Sequence, residues 1–329
     1  MDLTMDTSVK SSDGKKPTLN FRLVSHGPLP TAPVRKEIFI VRHGQSKWNV
    51  AKSETHVQHM LQQYDHELTA VGIQQAETFN ARWKELQKSK DKGTNSQQDE
   101  SDLETFLSAT AIFASPLTRA TQTALLTCED HPMLTKSQGG LTLLSNLREV
   151  KSGPGSFDTV GSHSGGGISS HVSTMLSRDM GAMRAKKVVV PIAPYDAVGE
   201  WWTPISNKDH KEDVSARFRE LWSFLRYGTD AETIVLVGHS SFFLRLMRDH
   251  MSPDFKQNNH DWADALATQK LDNGAGLRLS VEWSQYAGPM AHPVITAARL
   301  VFNTELKKEK HKGAHALVHA PSSFDIDVK

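Results

Sequence analysis

Apolar residues in this chain fall into short runs separated by stretches with helical spacing. Ile38 to Val41 is one such run, Ala111 to Ala114 a second, Leu141 to Leu144 a third, and Thr233 to Val237 the most regular. Runs of this length, rich in β-branched residues and bounded by polar groups, read as buried strands. Leu277 to Trp283 and Val294 to Phe302 add two late strands. Between them, Leu68, Ile73, Ala76, Phe79, Trp83 and Leu86 recur at helical spacing behind Thr69, a residue suited to an N-cap. Ser115 as N-cap with Pro116 at the first helical position marks another helix start. Helices also read over Glu212 to Tyr227, over Ser241 to Met251, and in the segment bearing Met175, Met180 and Met183, while Trp48 to Tyr64 reads as an irregular helix or loop. Strands alternating with helices predict an α/β fold, a three-layer α/β/α sandwich around a mixed, mainly parallel central sheet.

Residues 1–34 are polar and aperiodic and read as a flexible leader, 35–304 as one domain, and 305–329 as a loose tail. Two stretches inside the domain read as insertions, about 88–104 because it is charged and polar, and about 151–202 because Gly and Ser cluster between Ser152 and Ser170. Lys plus Arg is 38 against 37 for Asp plus Glu, so no global field favours nucleic acid or an anionic membrane. Attraction for a phosphorylated molecule must then be local. The single cysteine, Cys128, excludes internal disulfides and cysteine-rich zinc modules and fits a reducing compartment. No apolar stretch approaches the ~20 residues of a membrane span, and the acidic N-terminus lacks a secretory pattern. Together these point to a cytoplasmic protein.

Four stretches place a charged or ionisable group at a strand end or helix start: Arg42-His43, Arg119, Glu149 and His239. Singly, each is ordinary: surface arginines, a solvated carboxylate, a histidine after a strand. Phosphoryl transfer asks for all of them at once. Guanidinium forks match phosphate oxygens, an imidazole can split the displacement into two steps, and a carboxylic acid can protonate the leaving alkoxide.

Five motifs occur in order: Arg42 to Gly44, Leu68 to Ala76 (Leu-Thr-x-x-Gly-x-x-Gln-Ala), Ser115 to Ala124 (Ser-Pro-Leu-x-Arg-Ala-x-x-Thr-Ala), Leu147 to Glu149, and Gly238 to Ser240. Over residues 36 to 302 this pattern resembles the histidine phosphatase superfamily, branch 1, with its phosphoglycerate mutase-like fold. The resemblance implies a phosphoric monoester hydrolase in which His43 becomes a phosphohistidine. It implies Arg42, Arg119 and His239 as the rest of a phosphate pocket, Asn49 and Ser240 as added contacts, and Glu149 as general acid and then base. It implies no metal or other cofactor, and a small phosphorylated substrate as the partner.

Mutases of this family share a Phe-x-Gly-Trp-x-Asp segment and a basic, Tyr-bearing lid. Here the first reads Gln62-Gln63-Tyr64-Asp65-His66-Glu67-Leu68, and the lid position is the Gly/Ser-rich stretch. A phosphatase is therefore expected over a mutase, although Gln45 and Trp48 are mutase-like. A catalytically silent interaction protein on the same fold is the alternative from another class. Gly238-His239-Ser240-Ser241-Phe242 lacks the last glycine of a nucleophile elbow. Ser164-Gly165-Gly166-Gly167 is not followed by the Gly-Lys-Ser/Thr of a P-loop, and reads as a flexible lid. His311, His315 and His319 share a helical spacing in the tail, which reads as coincidence.

Overall fold

Strand β1, Val34–Arg42, is built from the apolar run Ile38 to Val41, buried on both faces. The computed structural model describes residues 33–53, 64–90, 92–135, 139–153, 156–284 and 292–307. The other strands are β2 (Ala111–Ala114), β3 (Leu141–Leu143), β4 (Ile192–Ala193), β5 (Thr233–Gly238), β6 (Gly276–Trp283) and β7 (Val294–Leu300). They form a single sheet in the order β4-β3-β2-β5-β1-β6-β7. β1 to β5 pair in parallel, and β6 and β7 join antiparallel at one side, so the sheet is mixed and mainly parallel. The α/β reading is borne out.

Alternation along the strands sends side chains to two cores. Phe39, Val41, Ala114, Val235 and Val237 face one layer of helices, α2 (Ala70–Lys90), α3 (Gln97–Leu107), α4 (Thr118–Thr127) and α6 (Gly166–Met180). Ile38, Ile40, Phe113, Ile234 and Leu236 face the other, α8 (Lys211–Ser223), α9 (Ser240–His250), α10 (Pro253–Asn258) and α11 (His260–Thr268). The remaining described helices are α1 (Lys47–Ser53), α5 (Pro132–Thr135) and α7 (Ala182–Val188). The strand register sets Arg42 beside Gly238 and Ala114 beside Val237. The C-terminal ends of β1, β5 and β2 therefore lie level, where α/β sheets bind ligands.

Several expectations need correction. The polar stretch 88–104 is no solvated insertion: α2 runs on through Lys90, and Ser96 caps α3 by accepting from the Asp99 amide at 3.1 Å. Leu103 and Phe106 of α3 enter the core, and Phe106 meets Phe39, Phe302 and His131 edge-on and Trp83 at a tilt. The methionine-bearing part of the 151–202 stretch is helical as expected, in two helices, α6 and α7, with Ile168, Val172 and Leu176 buried, but the glycines at 165–167 begin α6 rather than forming a lid. Met175 and Met180 lie on α6, but Met183 is exposed on α7. Ser115 does not cap α4. The helix starts at Thr118, and the buried Asp65 carboxylate accepts from the Thr118 amide (2.7 Å) and hydroxyl (2.8 Å), capping it from a distant segment. Thr69 does cap α2, accepting from the Gly72 amide at 3.1 Å. Helices α10 and α11 and the two-residue β4 were not foreseen. Most of the leader, the tail with His311, His315 and His319, and residues 54–63 lie outside the described residues.

Cys128 follows α4 and is fully buried; burial pushes its thiol up to about 12. Among the described residues no helix is long and apolar enough to cross a membrane. If α3 is a core element, Phe106→Ala should destabilise the protein by about 3–5 kcal/mol. Urea unfolding measures this, and a loss below about 1 kcal/mol would return the segment to the status of a peripheral loop.

Candidate active site

The turn after β1 is fixed by a close crossing. A Cβ on Gly44 would lie 2.4 Å from the Gly72 carbonyl oxygen, and one on Gly72 would lie 2.0 Å from that of Gln45. Only two glycines allow α2 to lie this close to the turn. Hydrogen bonds lock the crossing: the Gly44 amide donates to Thr123 Oγ1 (3.1 Å), the Gln45 amide to Gln75 Oε1 (2.8 Å), and Thr69 Oγ1 to Gln45 Oε1 (2.8 Å). The Leu68 amide donates to Gln122 Oε1 at 2.9 Å. The first three motifs are thus one fastening that holds the residue between Arg42 and Gly44.

That residue is His43, and it is buried. Its Nδ1 lies 2.6 Å from the Gly44 carbonyl oxygen and must donate to it, which leaves the lone pair on Nε2. Arg119 Nε donates to that Nε2 at 3.3 Å. Burial, then Arg119 and Arg42, hold the imidazole well below its ordinary value, so it is neutral near pH 7. The His239 ring stands 5.0 Å from that of His43, centroid to centroid. His239 Nε2 lies 2.8 Å from Ser115 Oγ, and its buried Nδ1 has no hydrogen-bond partner among the described residues. Burial, Arg119 and His43 lower its pKa as well.

Arg42 Nη1 donates to the Leu271 carbonyl at 2.6 Å, while its buried Nε has no partner among the described residues. Burial brings this guanidinium down to about 10, opposed by Glu149 and Asp272. Glu149 sits against the start of α9: its Oε1 accepts from the Val150 (2.8 Å) and Phe242 (3.1 Å) amides, and its Oε2 from the Ser241 amide (3.3 Å). Arg42, His43, Arg119, Glu149 and His239 therefore converge from β1, α4, the turn after β3 and the end of β5. Asn49 stands one step away, its Oδ1 accepting from the Ser46 amide (3.0 Å) and from Asn273 Nδ2 (3.3 Å). Ser240 is buried in the first turn of α9, next to His239.

Three features escaped the sequence reading. Asn273 Nδ2 donates to the His43 carbonyl (3.1 Å) as well as to Asn49, and the Gly274 amide to that of Arg42 (3.2 Å). Its only signal is the turn-like Asp272-Asn273-Gly274. Asp209 and Arg217 form a buried ion pair at 3.2 Å that grips the chain on both sides of Glu149, through the Arg148 carbonyl (3.0 Å) and the Lys151 amide (2.9 Å). Asp158, in the Gly/Ser-rich stretch, accepts through its main-chain oxygen from Arg119 Nη1 at 2.7 Å. Among the described residues no group of three or more His, Cys, Asp or Glu is placed to hold a metal ion.

The family model described as histidine phosphatase superfamily (branch 1) matches residues 38–96. The matched segment contains Arg42-His43-Gly44 and Leu68 to Ala76, so over these two motifs the resemblance to the family is borne out. No curated protein matches the chain. Among solved structures it is similar to a putative α-ribazole-5'-P phosphatase from Escherichia coli, 16% identical, over 81% of this chain and 96% of that one, with a TM-score of 0.43. A mycobacterial glucosyl-3-phosphoglycerate phosphatase is 18% identical over 79% and 97%, with a TM-score of 0.40. A phosphoglycerate mutase from Bacillus anthracis is 12% identical over 80% and 93%, with a TM-score of 0.42.

Neutral burial of these imidazoles sets a pH dependence. The folded pKa of His43 and His239 lies below the unfolded value of about 6.5, so the unfolded chain takes up protons that the folded one refuses. His250, held at about 4 by burial and by His292, adds to the same window. Stability is complete above about pH 6.5 and falls below it, by up to about 1.4 kcal/mol per pH unit for each group. Urea midpoints between pH 8 and 5 should decline below 6.5, less steeply in His239→Asn; a flat profile would mean that these rings protonate within the fold.

Proposed function

We propose that residues 35–304 form a phosphatase that hydrolyses phosphate monoesters through a phosphohistidine on His43. One observation carries the reading: a neutral imidazole with its Nε2 lone pair presented to Arg119, beside the buried Arg42 Nε donor and the buried His239 Nδ1, neither of which has a hydrogen-bond partner among the described residues. An unpaired buried donor is costly, by roughly 1–3 kcal/mol, and a phosphoryl group supplies the oxygen it lacks.

In the first step Nε2 attacks phosphorus and the bond to the ester oxygen breaks. Arg42, Arg119 and His239 hold the phosphoryl oxygens, and the Glu149 carboxyl gives its proton to the departing alkoxide. In the second step water attacks the phosphohistidine, Glu149 takes a proton from it, and the P–N bond breaks to release inorganic phosphate. Asn273, itself held by Asn49, fixes the His43 backbone, and the Asp209–Arg217 pair fixes that of Glu149.

His43→Ala should lower phosphate release from a panel of monoesters at least about 10³-fold, on the scale of losing a nucleophile, at little loss of stability. Retention of most activity would remove His43 from the role. Assaying 3-phosphoglycerate isomerisation alongside separates a mutase, and silence toward every ester would favour an interaction protein. Glu149→Gln should slow esters of poor leaving groups by about 10²–10⁴ while slowing p-nitrophenyl phosphate by less than about tenfold; equal losses on both would exclude Glu149 as the acid.

A further inference from the structure

All three nitrogens of the Arg119 guanidinium have neighbours. Nε donates to His43 Nε2 at 3.3 Å, Nη1 donates to the Asp158 carbonyl at 2.7 Å, and Nη2 lies 3.7 Å from Asp158 Oδ2. The occupant of the fork comes from the one-turn helix Phe157–Thr159, in a stretch that carries none of the motifs. It is not a bidentate ion pair, because the hydrogen bond is made by the main-chain oxygen while the carboxylate stands off. Burial pushes the Asp158 carboxyl above the usual carboxylate range, against the pull of Arg119 and with the push of Glu149. The turn thus brings a carbonyl oxygen and a second carboxyl group into a pocket whose other groups suit an anion.

The flanks of this turn are held in place. Ser162 Oγ donates to Asp65 Oδ2 at 3.1 Å. Gly161 lies against Trp201 and Trp202, with no room for a Cβ (2.4 and 2.5 Å). On the other side, Lys151 Nζ donates to the Pro204 carbonyl at 2.7 Å. The oxygens of Asp158 are therefore delivered to Arg119 by a supported segment.

We propose that the Asp158 carboxylate is a specificity-determining group of this pocket, standing 3.7 Å from Arg119 Nη2 and competing with any phosphoryl group for that guanidinium. This rests on the phosphatase reading for its meaning. Displacement lowers the affinity of every ligand by the fraction of molecules in which the fork is free. An ester offsets that loss through contacts made by its alcohol portion, whereas inorganic phosphate, the product, has no such portion. Asp158 thereby keeps the emptied site from being held by bare phosphate.

Titration calorimetry of the full chain with inorganic phosphate, in the absence of any ester, reads this directly. Asp158→Asn, which keeps the shape and the carbonyl but removes the charge, and Asp158→Ala should each bind phosphate more tightly than wild type, by about fivefold or more. They should also show a lower inhibition constant for phosphate when turnover is assayed. Unchanged or weaker phosphate binding in a variant with the wild-type melting temperature overturns the proposal, as does absence of binding in wild type and variants alike. Should Asp158→Ala fail to fold, the near-isosteric Asp158→Asn decides alone. Tighter binding without turnover of any ester would sink the phosphatase reading only, and turnover without tighter binding would sink this one only.

Discussion

Two guanidinium groups have been taken out of water beside imidazoles that remain neutral, and the rest of the pocket follows from that. Buried cations need partners, and here Arg42 and Arg119 donate to the main-chain carbonyls of Leu271 and Asp158 and to the His43 ring. Carbonyls engage one nitrogen of each guanidinium without cancelling its charge. The remaining positive field pushes His43 and His239 down, and in doing so keeps a lone pair on His43 Nε2. The geometry therefore sets the state of its own nucleophile candidate through electrostatics, with Glu149 held apart at the start of α9.

Positions far apart in the chain act as single mechanical units. The Gly44–Gly72 crossing and its bonds to Thr69, Gln75 and Thr123 tie β1, α2 and α4 together. The Asp209–Arg217 pair does the same for the turn after β3 and for α8. The first grips the backbone that follows His43 and the second grips it on both sides of Glu149, so each side chain is aimed by the chain that carries it.

How much of this was legible depended on where the information sat. The buried strands announced themselves, because Ile38 to Val41 and Thr233 to Val237 are uninterrupted apolar runs, and the motif residues stand at their ends. Helix α3 did not, because its inward face is partly charged: Asp102 is buried against Arg278 (2.9 Å) and Arg299 (2.8 Å), which leaves Leu103 and Phe106 as its main apolar marks. The glycines of 165–167 read as a loop because propensity gave no sign that Ile168, Val172 and Leu176 would be buried where α6 packs against α4 and β4 (tertiary packing overrides propensity). Ser115 carried the composition of a cap, but its hydroxyl serves His239 and a distant Asp65 caps the helix. Asp158 and Asn273 reach the pocket only through folding, and no local spacing marks them.

The burial of Cys128 has a practical side. A thiol pushed up to about 12 and closed off from solvent is poorly reactive toward alkylating reagents. It is also the only cysteine in the sequence. The native chain is thus close to a cysteine-free background, in which one engineered surface cysteine near the Phe157–Thr159 turn would take up a fluorophore or spin label selectively, and the movement of that turn off Arg119 could be watched in an otherwise unaltered protein.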